Sequence, residues 1–68
     1  MLTKDEWLYN MRITYGDLTE KELIKGFRYD YKNGLIDYLD KGRSVIITPV
    51  GKDSYEITKE FFRELMDY

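Results

Sequence analysis

The long basic side chains between residues 21 and 32 have the most informative spacing in this chain. Lys21, Lys25, Arg28 and Lys32, here called the cation stripe, are separated by four, three and four positions. On a continuous helix, at about 100° per residue, the four side chains fall within roughly 60° of one another. Such a row suits a row of phosphates, because each neutralised phosphate releases a counterion. The alternative interpretation is that these side chains flank the apolar face of a helix and cover the edge of the core with their stems.

The net charge of the chain hides an uneven distribution. The formal charge is −2 over 68 residues, yet residues 21–52 hold seven basic and four acidic side chains. Salt limits the reach of an exposed charge to about 10 Å, so a local excess of positive charge matters more than the total. The middle of the chain is therefore predicted to carry the binding surface.

The residue types needed for catalysis are largely missing. The chain has no histidine and no cysteine, which removes the usual general base, the thiolate nucleophile and the commonest nitrogen ligand of metals. Asp37 and Asp40 are three positions apart, and so are Glu64 and Asp67. Carboxylate pairs of this kind on amphipathic helices are mostly solvated, and Gly51–Asp53 lacks the glycines of a phosphate loop. We predict a protein that is not an enzyme and that has no metal site and no cofactor.

The length and composition bound the architecture. A chain of 68 residues is expected to form one domain over residues 1–68 and to bury roughly 60% of the surface of its unfolded chain. Without cysteine, the fold must rest on packing alone or on packing and self-association. The first residues lack the apolar run of a signal peptide, and no stretch approaches the roughly 20 apolar residues of a membrane span. We expect a cytoplasmic location.

Two capping boxes predict where the first helices begin. Thr3–Glu6 and Thr19–Glu22 each place a threonine three positions before a glutamate, so that side chains and backbone amides can satisfy each other. A helix should begin one residue after each threonine. The first helix is expected to fade near Arg12, because Ile13–Tyr15 favours an extended piece able to pair with a later hairpin.

The end of the second helix has two interpretations. Gly26 could break it early, with a third helix over Arg28–Lys41. Alternatively the helix continues to Asn33 and stops at Gly34, which is a good C-terminal signal, and a short helix follows over Leu35–Lys41. Either interpretation places one glycine in a helix interior, at a cost of about 1 kcal/mol. Local chemistry favours the second.

A hairpin and a last helix complete the predicted order. Strands are expected over Ser44–Val50 and Ser54–Thr58, around the turn Gly51–Asp53, with Pro49 confined to an edge or a bulge because it has no amide to donate. A helix over Lys59–Tyr68 follows. The predicted fold class is α+β, a small helical domain with a β-hairpin wing in the order α-(β)-α-α-β-β-α.

This order resembles a winged helix-turn-helix domain over residues 4 to 58. The capped second helix contains Thr19 and Glu22-Leu23, a third helix would carry Tyr31, Leu35 and Tyr38 before Gly42, and the wing would end in Tyr55 and Ile57-Thr58. The resemblance implies a dimeric regulator of transcription that binds double-stranded DNA. By that resemblance Arg28, Tyr29, Lys32 and Asn33 would face the major groove, and Arg43 and Lys52 would reach the flanking backbone. With the remaining cations, the predicted nucleic-acid contacts are Lys21, Lys25, Arg28, Tyr29, Lys32, Asn33, Arg43 and Lys52.

A protein partner is the alternative. Aromatic residues make up 16% of the chain, and tyrosine is favoured at interfaces for its large, rigid, amphipathic surface. Tyr9, Ile13 and Tyr29 lie off the predicted apolar helix faces. Glu60, Glu64 and Asp67, here called the acidic stripe, could pair with the cation stripe of the same or a second molecule. These surfaces would suit an adaptor or inhibitor that binds a host or cognate protein, and the small size would suit a phage or a mobile element.

Overall fold

The computed structural model describes all 68 residues as three helices and one three-stranded antiparallel sheet. The elements are α1 (Lys4–Tyr15), α2 (Glu20–Lys32), β1 (Ile36–Asp40), β2 (Ser44–Pro49), β3 (Tyr55–Thr58) and α3 (Lys59–Asp67). The strand order in the sheet is β1-β2-β3. The predicted α+β class is confirmed, with the observed order α-α-β-β-β-α.

Both capping boxes form and set the starts of α1 and α2. The Thr3 hydroxyl accepts from the Glu6 amide at 3.2 Å, and the Glu6 carboxylate accepts from the Thr3 amide at 2.9 Å. Thr19 and Glu22 repeat this exchange at 3.2 and 3.0 Å. Thr58 caps α3 by accepting from an amide in its first turn. The predicted helix starts are therefore confirmed.

The first helix runs further than the sequence suggests. The expected fading near Arg12 and the extended piece over Ile13–Tyr15 are wrong, because α1 continues to Tyr15 and ends where Gly16 adopts a φ of 100°. The outer edge of β3, where such an extended piece could pair, is bound by Leu2 instead. The Leu2 amide donates to the Glu56 carbonyl at 2.7 Å. An exposed β-branched residue costs a helix only a fraction of a kcal/mol, so Ile13 does not stop it.

Helix α2 passes through Gly26 and stops where the favoured interpretation places its end. Asn33 caps the helix, and Gly34 has a φ of 71°. The alternative break at Gly26 is wrong, because residues on both sides of it belong to α2.

The predicted third helix over residues 35–41 is wrong in both interpretations, since this segment forms strand β1. After the turn at Gly34, the Leu35 carbonyl accepts from the Val50 amide at 2.9 Å, which starts an antiparallel ladder with β2. Tyr38 then faces Ile47 and Asp40 faces Val45. Pairing with a buried apolar strand satisfies the backbone groups of this segment, and it overrides the helical spacing of Tyr31, Leu35 and Tyr38.

Pro49 lies at the end of the central strand rather than at an edge or bulge. It pairs with Ile36 of β1. On the other side, the ladder with β3 ends at Ile47 and Tyr55. An amide at position 49 would point towards β3, beyond the last β2–β3 pair. The missing N–H of Pro49 therefore removes no hydrogen bond from the sheet.

The three helices cover one face of the sheet. Val45, Ile47 and Ile57 are fully buried on that face, whereas Leu39 on the opposite face is 60% exposed. Trp7 lies in the core edge-to-face with Phe27 and Phe61. No helix of the chain has the length and apolar character needed to cross a membrane.

Candidate nucleic-acid interface

The cation stripe lies along one side of α2. Because α2 is continuous from Glu20 to Lys32, the four side chains keep the narrow angular spread that their spacing predicts, over roughly 16 Å at 1.5 Å per residue. The three ion pairs of the protein involve Lys4 and Lys59, and none involves the stripe. The four cations are therefore free of intramolecular carboxylate partners.

Arg28 differs from the three lysines of the stripe. Lys21, Lys25 and Lys32 are exposed, whereas Arg28 is half-buried, and its buried Nε atom has no hydrogen-bond partner. The Arg28 stem thus covers the edge of the core, as the alternative interpretation predicts, while the lysine ammonium groups remain available to an external anion.

Tyr29 and Asn33, two of the predicted major-groove contacts, lie at the C-terminal end of α2. Asn33 caps α2, and its side-chain amide donates to the Tyr29 carbonyl at 2.7 Å. Tyr29 is 65% exposed and lies one helical turn from Lys25 of the stripe, and it also lines a cavity. Asn33 therefore supports the helix end.

The structure does not bring Arg43 and Lys52 together. Arg43 precedes β2 and Lys52 follows it, so the six residues of this strand separate them by about 20 Å at 3.3 Å per residue. The Lys52 ammonium donates to the Tyr15 hydroxyl at 2.6 Å and lies 4.1 Å from the centre of the Tyr15 ring. Arg43 and Lys52 therefore lie at opposite ends of β2, and Lys52 is held against Tyr15.

The predicted protein-binding residues occupy separate surfaces. Tyr9 and Ile13 are 67% and 68% exposed and lie one turn apart on α1. In the acidic stripe, Glu64 accepts from Lys4 at 2.6 Å, and Lys4 also contacts Glu20 at 3.0 Å. These two carboxylates raise the pKa of Lys4. The acidic stripe therefore does not pair with the cation stripe of the same molecule.

A cavity of about 320 Å³ is a feature that the sequence reasoning missed. It lies between α1, α2 and one end of the sheet, and nine of its thirteen lining residues are hydrophobic. Glu22 and Asp30 of α2 are the charged residues of its lining. The signal in the sequence is Gly26, a glycine in the middle of a helix that also lines this cavity.

Comparison with known proteins identifies no family, because the chain matches no protein-family model, no curated protein and no solved structure.

Proposed function

We propose that this protein is a small, non-enzymatic DNA-binding protein that holds the phosphate backbone of double-stranded DNA with helix α2. The observation that carries the proposal is the cation stripe, four basic side chains on one side of a continuous helix with no carboxylate partner in the protein. Cations that are not neutralised internally can release the counterions of a bound polyanion, which is the main source of affinity for DNA.

In this proposal helix α2 contacts the DNA. The winged-helix resemblance assigns that contact to a third helix. Residues 35–41 form a strand, so the cations of α2 make the contacts with phosphates. Contacts to phosphates fix position and carry little sequence information. The proposed role is thus binding with weak sequence preference, as part of transcription regulation in the cytoplasm, with a second copy of the chain doubling the number of contacts.

The test is the salt dependence of DNA binding. Fluorescence anisotropy with a labelled duplex of about 20 base pairs measures the affinity between about 25 and 200 mM salt. Four phosphate contacts from one chain predict a slope of about −3.6 for the logarithm of the association constant against the logarithm of salt concentration, and the doubled contacts of two chains predict about −7.2. The double variant Lys25→Glu/Lys32→Glu should abolish binding.

A matched control separates the stripe from the total charge. Lys41→Glu/Arg63→Glu changes the net charge by the same amount at two exposed residues outside the stripe. This control should retain most of the affinity. The proposal is wrong if the wild-type protein shows no binding at the lowest salt, or if the control loses as much affinity as the stripe variant.

An adaptor or inhibitor that binds a protein is the second candidate, favoured by the exposure of Tyr9 and Ile13 on one side of α1. Exposed apolar residues that adjoin each other indicate an interaction surface. Crosslinking in the native host should then capture one defined partner. Tyr9→Ser/Ile13→Ser should lose that partner, whereas Tyr68→Ser, a change at another exposed tyrosine, should keep it.

A further inference from the structure

The cavity between α1, α2 and the sheet has the size and lining of a small-molecule site. Its volume of about 320 Å³ lies at the lower end of the range of roughly 300–1,000 Å³ that is typical of ligand pockets. Trp7, Phe27 and Tyr55 contribute aromatic surface to its wall. Such pockets are mostly apolar, with a few polar groups that orient the ligand.

Gly26 keeps one wall of this cavity open. It lies in the interior of α2 and does not have a positive φ, so the backbone there does not require glycine. A Cβ built on Gly26 would meet no atom within 4 Å, so close packing does not require glycine either. The residue costs the helix about 1 kcal/mol relative to alanine, and it faces the cavity. We infer that glycine at this position leaves space in the cavity for a ligand, because a side chain here would extend into that space.

The charges of the cavity lining are negative. Glu22 and Asp30 line it, and no basic residue does. The Thr19 amide and hydroxyl lower the pKa of Glu22, so this carboxylate is ionised at neutral pH. The side chain of Asp30 is part of no ion pair and has no hydrogen-bond partner within the protein.

Two cations lie near the cavity, and each has a partner. Arg12 donates from Nε to the carbonyl of Leu18 at 3.0 Å, and Leu18 belongs to the lining. Lys52 lies over the ring of Tyr15, another lining residue. This second contact shows that a ring of the cavity already accepts an ammonium group on its face.

We propose that this cavity binds a small organic ammonium ion, whose apolar body contacts the aromatic wall and whose charged group lies beside Asp30. Aromatic faces attract cations through the quadrupole of the ring, and an unpaired carboxylate adds charge complementarity. The hydroxyl oxygen of Tyr55 accepts a hydrogen bond from Trp7, and it can accept a second one from an N–H of the ligand. This site is independent of DNA binding.

Three probes of nearly equal shape test the charge preference. These are 2-phenylethylammonium, the neutral 2-phenylethanol and the anionic 3-phenylpropanoate. Trp7 is the only tryptophan of the chain and lines the cavity, so its fluorescence and its indole N–H resonance report binding. We expect the ammonium probe to bind at least about tenfold more tightly than the alcohol, and the carboxylate probe most weakly. Equal affinity of the ammonium and alcohol probes would overturn the proposal, and so would unchanged Trp7 signals at millimolar ammonium.

Variants locate the site. Asp30→Asn should weaken binding of the ammonium probe about tenfold and leave the alcohol unaffected, whereas Asp37→Asn, at an exposed carboxylate of β1, should change neither. Gly26→Leu should fill the cavity and block all three probes.

Two further measurements keep the result decisive. Nuclear Overhauser contacts between the ammonium probe and the methyl group of Met11, a lining residue, locate the probe in the wild-type protein even where Gly26→Leu does not fold. Their absence at saturation would place the probe elsewhere and refute the site. Lys25→Glu/Lys32→Glu, which tests DNA binding, should bind the amine like the wild type.

Discussion

The indole Nε1–H of Trp7 donates a hydrogen bond to the hydroxyl of Tyr55 at 3.1 Å. Trp7 is only 1% exposed, so water does not compete for this donor. The bond links α1 to the first residue of β3 at the wall of the cavity. Burial raises the pKa of Tyr55 to about 12, and the phenol therefore stays protonated at neutral pH. This hydrogen bond thus connects α1 to the sheet through two residues that line the cavity.

Tyr55→Phe removes the acceptor of this hydrogen bond while keeping the ring. The buried Trp7 N–H then lacks a partner, which should lower the free energy of unfolding by about 1–3 kcal/mol. Urea unfolding followed by Trp7 fluorescence measures the change. Tyr9→Phe is the matched control, because Tyr9 is 67% exposed and a surface change should stay within about 0.5 kcal/mol. Equal effects of the two variants would contradict a stabilising role of the bond.

The two glycines at the centre and the end of α2 should respond to alanine in opposite directions. Gly34 has a φ of 71°, and a Cβ in this left-handed region costs roughly 1–2 kcal/mol. Gly26 has ordinary helical backbone and open space around its Cβ position, so alanine should stabilise the protein by up to about 1 kcal/mol. Thermal unfolding of Gly26→Ala and Gly34→Ala measures both changes, and a shift of the same sign in both variants would contradict this account.

The same two glycines show how far the sequence determines the fold. Capping boxes and the stop at Gly34 depend on neighbours in the chain, and they were predicted correctly. Strand β1 was not, because its state depends on pairing with β2, which the periodicity of residues 31–42 cannot reveal. The helical spacing of the cation stripe survives because α2 is continuous. The cavity forms where α1, α2 and the sheet meet, so its presence depends on contacts between residues distant in the chain. Gly26, in the middle of α2, is its one signal in the sequence.

The capping boxes make the stability of the protein depend on pH in the acid range. The backbone amides of Thr3 and Thr19 lower the pKa values of Glu6 and Glu22 from the usual 4.5. A carboxyl whose pKa is lower in the folded state contributes stability above its unfolded pKa, and this contribution is lost as the pH falls through the folded pKa. The unfolding temperature should therefore be steady from about pH 7 to 5.5 and should fall below about pH 4.5.

Calorimetry across this pH range, with two double variants, tests the assignment to the caps. Glu6→Gln/Glu22→Gln should have a lower unfolding temperature at neutral pH. Its unfolding temperature should also fall less than that of the wild type when the pH is lowered. Glu60→Gln/Asp67→Asn removes the same charge from exposed residues of α3 and should follow the wild-type curve in shape. If both double variants run parallel to the wild type, the capping carboxylates are not the groups responsible.

Asp40 and Lys59 join the end of β1 to the first turn of α3 by an ion pair. A cation at a helix N-terminus is unfavourable for the helix dipole, and the carboxylate compensates it. Lys59 lowers the pKa of Asp40, and the Gly42 amide, which donates to Asp40 at 2.8 Å, lowers it further.

In Lys59→Met the Asp40 pKa should therefore rise part of the way to its usual 3.8. Carboxyl-carbon NMR titration measures this rise, and Lys41→Met, which removes a cation adjacent in sequence, should leave the Asp40 pKa nearly unchanged. An Asp40 pKa that responds equally to both changes would mean that general charge, rather than the contact with Lys59, sets it.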